Sequence, residues 1–339
     1  LSFKISSIST NASHSLIGPL INILRLFDFL LVLSSIKLSQ LSILYGVRIV
    51  SPTMQNEQEQ RYQDWIGRQQ TTSDILTSGP MKGLAATLDR EDTTFTSGNP
   101  LPALWHWLYF LHPARQSDLA IDGHPHRGNF LPPIPLPRRM WAGSRLQFLR
   151  PLLVGETIER VSSIKSVALK QGRSGDLAFV CVSHDFSDSS GLLLREEHDI
   201  VYRDAAKGNA AAQSLPADDK FDFERTITPD PVLLFRYSAL TFNGHRIHYD
   251  RAYASETESY PGLVVHGPLL ATLLLELFTE KHPQAVLSGF EFKAIKPVFD
   301  IADFQVCGTK LDDSGASRLW VADNAGNLCM QASVRASNP

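Results

Sequence analysis

The residues best suited to chemistry lie in one stretch, LTFNGHRIHYD, at Leu240–Asp250. His248 is the natural general base. An imidazole with an ordinary pKa near 6.5 accepts a proton at neutral pH. Asn243, five residues earlier, is placed to hold a water or a carbonyl. His245 is a further ring for acid–base work, Arg246 suits an anionic group, and Tyr249 follows as a polar contact. Downstream, His266-Gly267-Pro268 opens a very apolar run. There Gly267 reads as an N-cap and Pro268 as the first helical residue. The backbone N–H of Gly267, aided by the helix dipole, would stabilise an oxyanion. Taken singly, each residue has an ordinary role: Asn243-Gly244 as a turn, Arg246 as a solvated charge, Asp250 as a cap for the turn after it. Their joint placement before one apolar helix is what points to proton movement beside a polarised carbonyl.

Zinc is a weaker reading. His245 and His248 with His266 or Asp250 supply donors, but the spacing is loose and no HExxH is present. A P-loop, a GxGxxG turn and a GxSxG elbow are all missing, so phosphate-loop, Rossmann and serine-hydrolase readings lack their motif.

The elements that must position these groups follow from periodicity. Leu269, Leu270, Leu273, Leu274, Leu277 and Phe278 form an apolar stripe, and Leu275 widens it. A helix that is greasy nearly all round is wrapped by a sheet or spans a membrane. At about 14 residues, roughly 21 Å, it is too short to span. Upstream, helices are expected at Asp74–Asp89, Leu101–Leu111 (LPALWHWLYFL) and Pro231–Leu240, with a Pro/Gly/Arg-rich loop over 113–143. Strands are expected at Leu146–Phe148, Thr157–Ser166, Leu177–Phe186 and Leu192–Tyr202, and again at Leu287–Ile295, Ala302–Thr309, Arg318–Ala322 and Leu328–Arg335.

The two halves echo each other. GSRLQFLRPLLVGETI is similar to SGFEFKAIKPVFDIADF, with Pro151 against Pro297, and DFSDSSGLLL to VADNAGNLCM. An internal duplication of one α+β unit accounts for this order. The expected division is 1–53 as a targeting segment or a non-native upstream extension, 54–205 as a first unit, 206–219 as a linker and 220–339 as a second, catalytic unit. Only the second half carries the histidine cluster, so one site per chain is expected.

The totals narrow the classes. With 43% hydrophobic and 20% charged residues, the 339-residue chain has the composition of a soluble protein with a large core. A net charge of −3 gives no reason to expect nucleic acid or an anionic membrane as a partner. The 3 cysteines are too few and too far apart for a disulfide framework, which suits a reducing compartment. The cytoplasm is the expected location, or the mitochondrion if 1–53 is a targeting segment.

LTFNGHRIHYD followed by YPGLVVHGPLLATLL resembles the hydratase motif of MaoC-like hot-dog hydratases and dehydratases. The likeness is to the double-hot-dog group, which holds mesaconyl-C4-CoA and itaconyl-CoA hydratases and the type 2 hydroxyacyl-thioester dehydratases. It runs over about Gln63–Ala336. The implied fold is two antiparallel sheets, each wrapping a central helix, with a degenerate first unit. The implied activity is reversible water addition to an enoyl thioester on CoA or acyl carrier protein, with no metal and no cofactor. In that family an Asp and a His five residues apart activate the water. Here the His is His248, but Asn243 stands at the Asp position and cannot ionise. The resemblance therefore implies His248 as base, Asn243 as orienter, His245 as a second acid and Gly267 as the oxyanion donor. Arg246 is expected to hold a free carboxylate of a branched C5 substrate, and Arg127 and Arg145 to hold CoA phosphates or that carboxylate. An oligomer of identical chains is left open. The rival readings are a 3-hydroxyacyl-ACP dehydratase of mitochondrial fatty-acid synthesis, a non-catalytic thioester-binding module and a thioesterase.

Overall fold

The computed structural model describes residues 62–91, 94–172, 175–204 and 214–338. The expected leader 1–53 and most of the linker lie outside them. The described residues fall within one compact unit.

Four strands and two helices are expected in each half; the structure adds an edge strand to both. The first half runs β1 (Gln69–Ile75), α1 (Ser78–Thr87), β2 (Arg138–Phe148), β3 (Thr157–Gly172), β4 (Gly175–Asp188) and β5 (Gly191–Arg203). The second runs β6 (Phe223–Ile227), α2 (Pro231–Leu240), α3 (Gly267–Lys281), β7 (Val286–Ala294), β8 (Phe304–Gly308), β9 (Ala316–Ala322) and β10 (Leu328–Ser337). Asp74 does not cap α1. It lies within β1, one residue before the strand ends, and its carboxylate accepts the Phe110 N–H at 2.8 Å, while Thr77 precedes the helix.

The strands form a single antiparallel sheet in the order β1-β3-β4-β5-β2-β7-β10-β9-β8-β6. That order reads the same from either end once β6–β10 are matched to β1–β5 in the pattern 1-3-4-5-2. A mirrored order is what two copies of one unit produce when their equivalent strands meet. The meeting strands are β2 and β7, paired from Gly143↔Lys293 to Gln147↔Gly289. These are the two segments whose likeness suggested duplication. Gly143 is required at the seam, because a Cβ there would lie 2.4 Å from the carbonyl oxygen of Phe292. The two sheets expected from sequence are thus joined edge to edge into one.

Helix α3 is the rod of the second half. Leu269, Leu270, Leu274, Leu275, Leu277 and Phe278 are all buried, and the helix lies against β6, β8, β9 and β10. Each such side chain contributes about 1.5–3 kcal/mol through removal from water. Among the described residues no helix is long and apolar enough to cross a membrane.

The first half lacks a rod. LPALWHWLYFL forms only a 3₁₀ turn, Trp105–Leu108, bounded by Leu104 and Phe110 at positive φ. Its polar atoms are claimed by distant partners. Trp105 Nε1 donates to Glu276 on α3 at 2.9 Å, and Trp107 Nε1 to Glu196 on β5 at 3.1 Å. His106 Nε2 lies 2.9 Å from the other oxygen of Glu196. His198 Nε2 approaches Glu196 at 2.7 Å, off the axis of a good hydrogen bond. Burial alone would raise the pKa of Glu196. The neighbouring His198 and His106 outweigh it and hold the carboxyl well below its usual range. Glu196→Ala should therefore cost about 3–5 kcal/mol, because the histidine and indole partners are left buried and unpaired. A urea titration checks this; a loss under about 1 kcal/mol would contradict it.

Candidate active site

The catalytic loop starts where α2 ends. Asn243 N–H donates to the Ser238 carbonyl at 2.8 Å, and Asn243 Oδ1 accepts the backbone N–H of His245 at 3.0 Å. The carboxamide thus shapes its own turn and keeps its NH₂ end for another partner. Arg246–His248 makes one 3₁₀ turn, and Asp250 Oδ1 accepts the Tyr253 N–H at 3.0 Å to start the next. This turn carries the His248 ring inward, where it is 8% exposed.

His248 Nδ1 lies 2.7 Å from the Val264 carbonyl oxygen. A carbonyl only accepts, so Nδ1 carries the proton and Nε2 keeps the lone pair a base needs. The ring stacks on His266 at 3.7 Å and meets His245 edge-on at 5.5 Å. His266 in turn sits 2.8 Å from the Ser238 hydroxyl through Nε2. It is His266 that caps α3, with Gly267 as the first helical residue and Pro268 next. This shifts the expected N-cap by one position. The Gly267 amide donates to no acceptor among the described residues, and a Cβ there would meet nothing within 4 Å. An open amide at a helix N-terminus suits a developing oxyanion.

A second loop, from the first half, closes the cluster. Gly123 crosses Gly244 backbone on backbone: a Cβ on Gly123 would fall 1.9 Å from the Gly244 carbonyl oxygen. Gly123 also has φ +86°, so only glycine meets both demands. The crossing sets the His124 ring 4.2 Å from that of His245. Asp122 holds His124 twice, through its N–H at 3.0 Å and Nδ1 at 3.2 Å. Sequence reasoning marked this Pro/Gly-rich loop but not Asp122 or His124; GHPH was the visible signal.

Arg246 does not reach outward for a substrate carboxylate. Its guanidinium pairs with Asp250 at 2.8 Å, donates to the Ile121 carbonyl at 3.0 Å and lies over the Tyr253 ring at 4.3 Å. Its backbone N–H donates to the Asp122 carbonyl at 2.9 Å. Arg246 is a clamp between the two loops. Tyr249 donates its hydroxyl to the Gly244 carbonyl at 2.8 Å, beside the crossing. Arg127 is spent on the carbonyls of Ile134 and Pro137 in its own loop. Arg145 pairs with Glu197 at 3.1 Å and Asp199 at 2.9 Å, on the face of β2 opposite the buried Ser144 and Leu146. Neither arginine joins the histidine cluster among the described residues.

Burial lowers the pKa of His248 to about 4 and of His245 to about 2, with the charge of His124 acting the same way on both. His266 is held well below its ordinary value by burial and then by His248 and His245. All three rings are neutral at pH 7. That favours His248 as a base and removes His245 as an ionised acid. Burial would raise Asp122, but the side-chain and backbone bonds it accepts from His124 hold it ionised. The linkage has one sign. These histidines are depressed in the folded chain, so they bind protons on unfolding and destabilise the fold in acid. Melting temperature should fall as pH drops from about 6.5 through about 4, the His248 window, and keep falling toward the His245 value. A flat profile over that range, read by circular dichroism, would contradict the burial seen here.

Among the described residues, Asp122, His124 and His245 alone form a group of three metal-competent donors, with ligand atoms within 4.8 Å of one another. Both Asp122 oxygens already accept from His124, which suits a proton-carrying pair. The zinc set weighed from sequence does not assemble: among the described residues, His248, His266 and Asp250 belong to no group of three donors close enough to share an ion.

The family hydroxyacyl-thioester dehydratase type 2 matches residues 104–300, which spans both loops and α3. The chain belongs to this family. Mesaconyl-C(4)-CoA hydratase of Chloroflexus aurantiacus is 48% identical over 243 residues, 71% of this chain and 86% of that protein. The mitochondrial hydroxyacyl-thioester dehydratase type 2 of Schizosaccharomyces pombe is 29% identical over 281 residues, 73% of this chain and 91% of the relative. A MaoC-like dehydratase from Phytophthora capsici superposes with a TM-score of 0.58 at 14% identity, over 80% of this chain and 96% of that one. At that identity the likeness speaks for the fold, and the fold of this type 2 dehydratase family member is the hot-dog.

Proposed function

We propose that this protein is an enoyl-thioester hydratase/dehydratase whose substrate is a branched C5 dicarboxylic acid carried as a CoA thioester. The observation that carries the reaction type is the His248 tautomer: Nδ1 is tied to Val264, so Nε2 is a free base, on a ring stacked on His266, the residue before the open amide of Gly267. His248 Nε2 takes a proton from water, the hydroxide oxygen bonds to the β-carbon, and the enolate oxygen rests on the Gly267 N–H. Asn243 offers its NH₂ end to water or substrate. The 48% identity to mesaconyl-C(4)-CoA hydratase supports the acyl group, and the fungal relatives support dehydration of 3-hydroxyacyl thioesters as the alternative.

A dicarboxylic substrate needs a cation for its free end. Arg246 is committed to Asp250, and the guanidinium whose charge acts on His245 is that of Arg139 on β2, whose own partner is the neutral Tyr202 hydroxyl. A panel of crotonyl-, mesaconyl- and itaconyl-CoA and an enoyl-ACP, followed by loss of the enoyl absorbance, tests the reading. Mesaconyl-C4-CoA should be hydrated fastest. Arg139→Gln should raise its KM about tenfold or more, as for a lost charge-assisted hydrogen bond, and leave crotonyl-CoA unaffected. Preference for a long acyl-ACP would move the assignment to the alternative. Release of free thiol without hydration would make it a thioesterase. Binding with no turnover would make it a carrier module. The fungal relatives are named as mitochondrial. Import of a fusion carrying residues 1–53 would place this chain with them, and a cytoplasmic signal would not.

A further inference from the structure

Water addition involves two proton movements: one leaves the water oxygen, and one arrives at the α-carbon. The catalytic loop offers a single competent ring. Asn243 cannot ionise. His245 stays neutral, and neither of its ring nitrogens has a hydrogen-bond partner among the described residues. His266 is stacked behind His248 and tied to Ser238. The remaining ring is His124, which the first half delivers through the Gly123–Gly244 crossing. The cluster faces Asp122 on its own loop, His245 and His248 on the catalytic loop, His266 at the cap of α3 and Arg139 on β2.

We infer that His124, oriented by Asp122, is the second proton-transfer group of the reaction and does the work a carboxylate at position 243 would otherwise do. The inference rests on the hydration reading above. His124 is fixed through Nδ1 by Asp122 Oδ2 at 3.2 Å, and Nε2 accepts or donates to no protein group among the described residues. In the forward step the water O–H bond breaks and its proton goes to His248 Nε2. The C–O bond forms at the β-carbon, and the displaced π pair moves to the enolate. A C–H bond then forms at the α-carbon with the proton of His124 Nε2. The proton held by His248 returns through solvent to His124, which resets the site. Burial is what chiefly keeps His248 deprotonated, and a proton carried by His124 acts in the same direction, which pushes acid and base apart as paired catalytic groups require. Asp122 touches no reacting atom and acts as a positioning residue.

The test compares the full chain with His124→Gln, Asp122→Asn and the double variant His124→Gln/Asn243→Asp. His124→Gln should lower kcat about 100-fold, the typical worth of one acid–base group, with KM within about threefold. Adding Asn243→Asp should restore at least about tenfold, since a carboxylate then stands five residues before His248. Asp122→Asn should cost about tenfold and displace the acid limb of the kcat profile, which a purely structural role would not do. Unchanged kcat in a folded His124→Gln variant would overturn the inference and leave His248 moving both protons alone. A loss confined to KM, or no gain from Asn243→Asp, would also overturn it. So would wild-type activity lost to a chelator and restored by zinc, which would assign the cluster to a cation. If the wild type hydrates no thioester, the function reading falls too; if it does and His124→Gln matches it, only this inference falls.

Discussion

His248→Asn lowers kcat/KM about 10²–10⁴-fold and leaves the melting temperature nearly unchanged, whereas His248→Ala loses both activity and stability. The difference comes from the two ring nitrogens. Asparagine keeps an N–H donor near the Nδ1 position, so the Val264 carbonyl stays satisfied. It has no lone pair where Nε2 was, so the base is gone. Alanine removes both and strands a buried carbonyl, at a cost of about 1–3 kcal/mol. Steady-state rates with a CoA substrate and thermal melts of the three proteins decide the matter. If His248→Asn retains more than about a tenth of wild-type turnover, the base lies elsewhere.

Gly123→Ala should be nearly as damaging to activity while the fold survives. A methyl at that place would sit 1.9 Å from the Gly244 oxygen, so the two loops must part. Their separation moves His124 away from His245 and loosens the Arg246 clamp on Ile121 and Asp122. A displacement of about 1 Å near reacting groups costs on the order of 100-fold in rate. Gly128 is the internal control. It too has positive φ, at +102°, but its nearest neighbour would be Pro133 Cβ at 3.6 Å. Gly128→Ala pays about 1–2 kcal/mol of backbone strain without a collision and should keep most of its activity. Equal losses in the two variants would show that strain, not the crossing, matters.

The edge strands show where sequence reading ran out. β1 (QQTTSDI) is exposed along most of its length, and β6 (FERTI) is short. β1 has no apolar face to give the period of two that marks a strand, and in β6 only Phe223 and Ile227 face the core, too short an alternation to read. LPALWHWLYFL has helix-like apolar content, yet Glu276 and Glu196 draw its indoles and imidazole apart, and a helix could not serve both. The arginines misled for a related reason. A guanidinium in a loop looks available until its partner is seen, and the partners of Arg145 (Glu197, Asp199) lie on another strand.

The sequence by itself determined the apolar rod α3, the turn that carries Asn243 and His248, and the repeated strand grammar of the two halves. Those are local: side-chain period, cap residues and turn chemistry act over a few residues. Tertiary structure alone decided that β2 meets β7 to make one sheet, that His248 bonds Val264 through Nδ1, and that Asp122 and His124 close over His245 from the other half. Each of these joins groups distant in the chain, and their contact depends on backbone approach at glycines such as Gly123 and Gly143, a demand that spacing along the sequence does not encode.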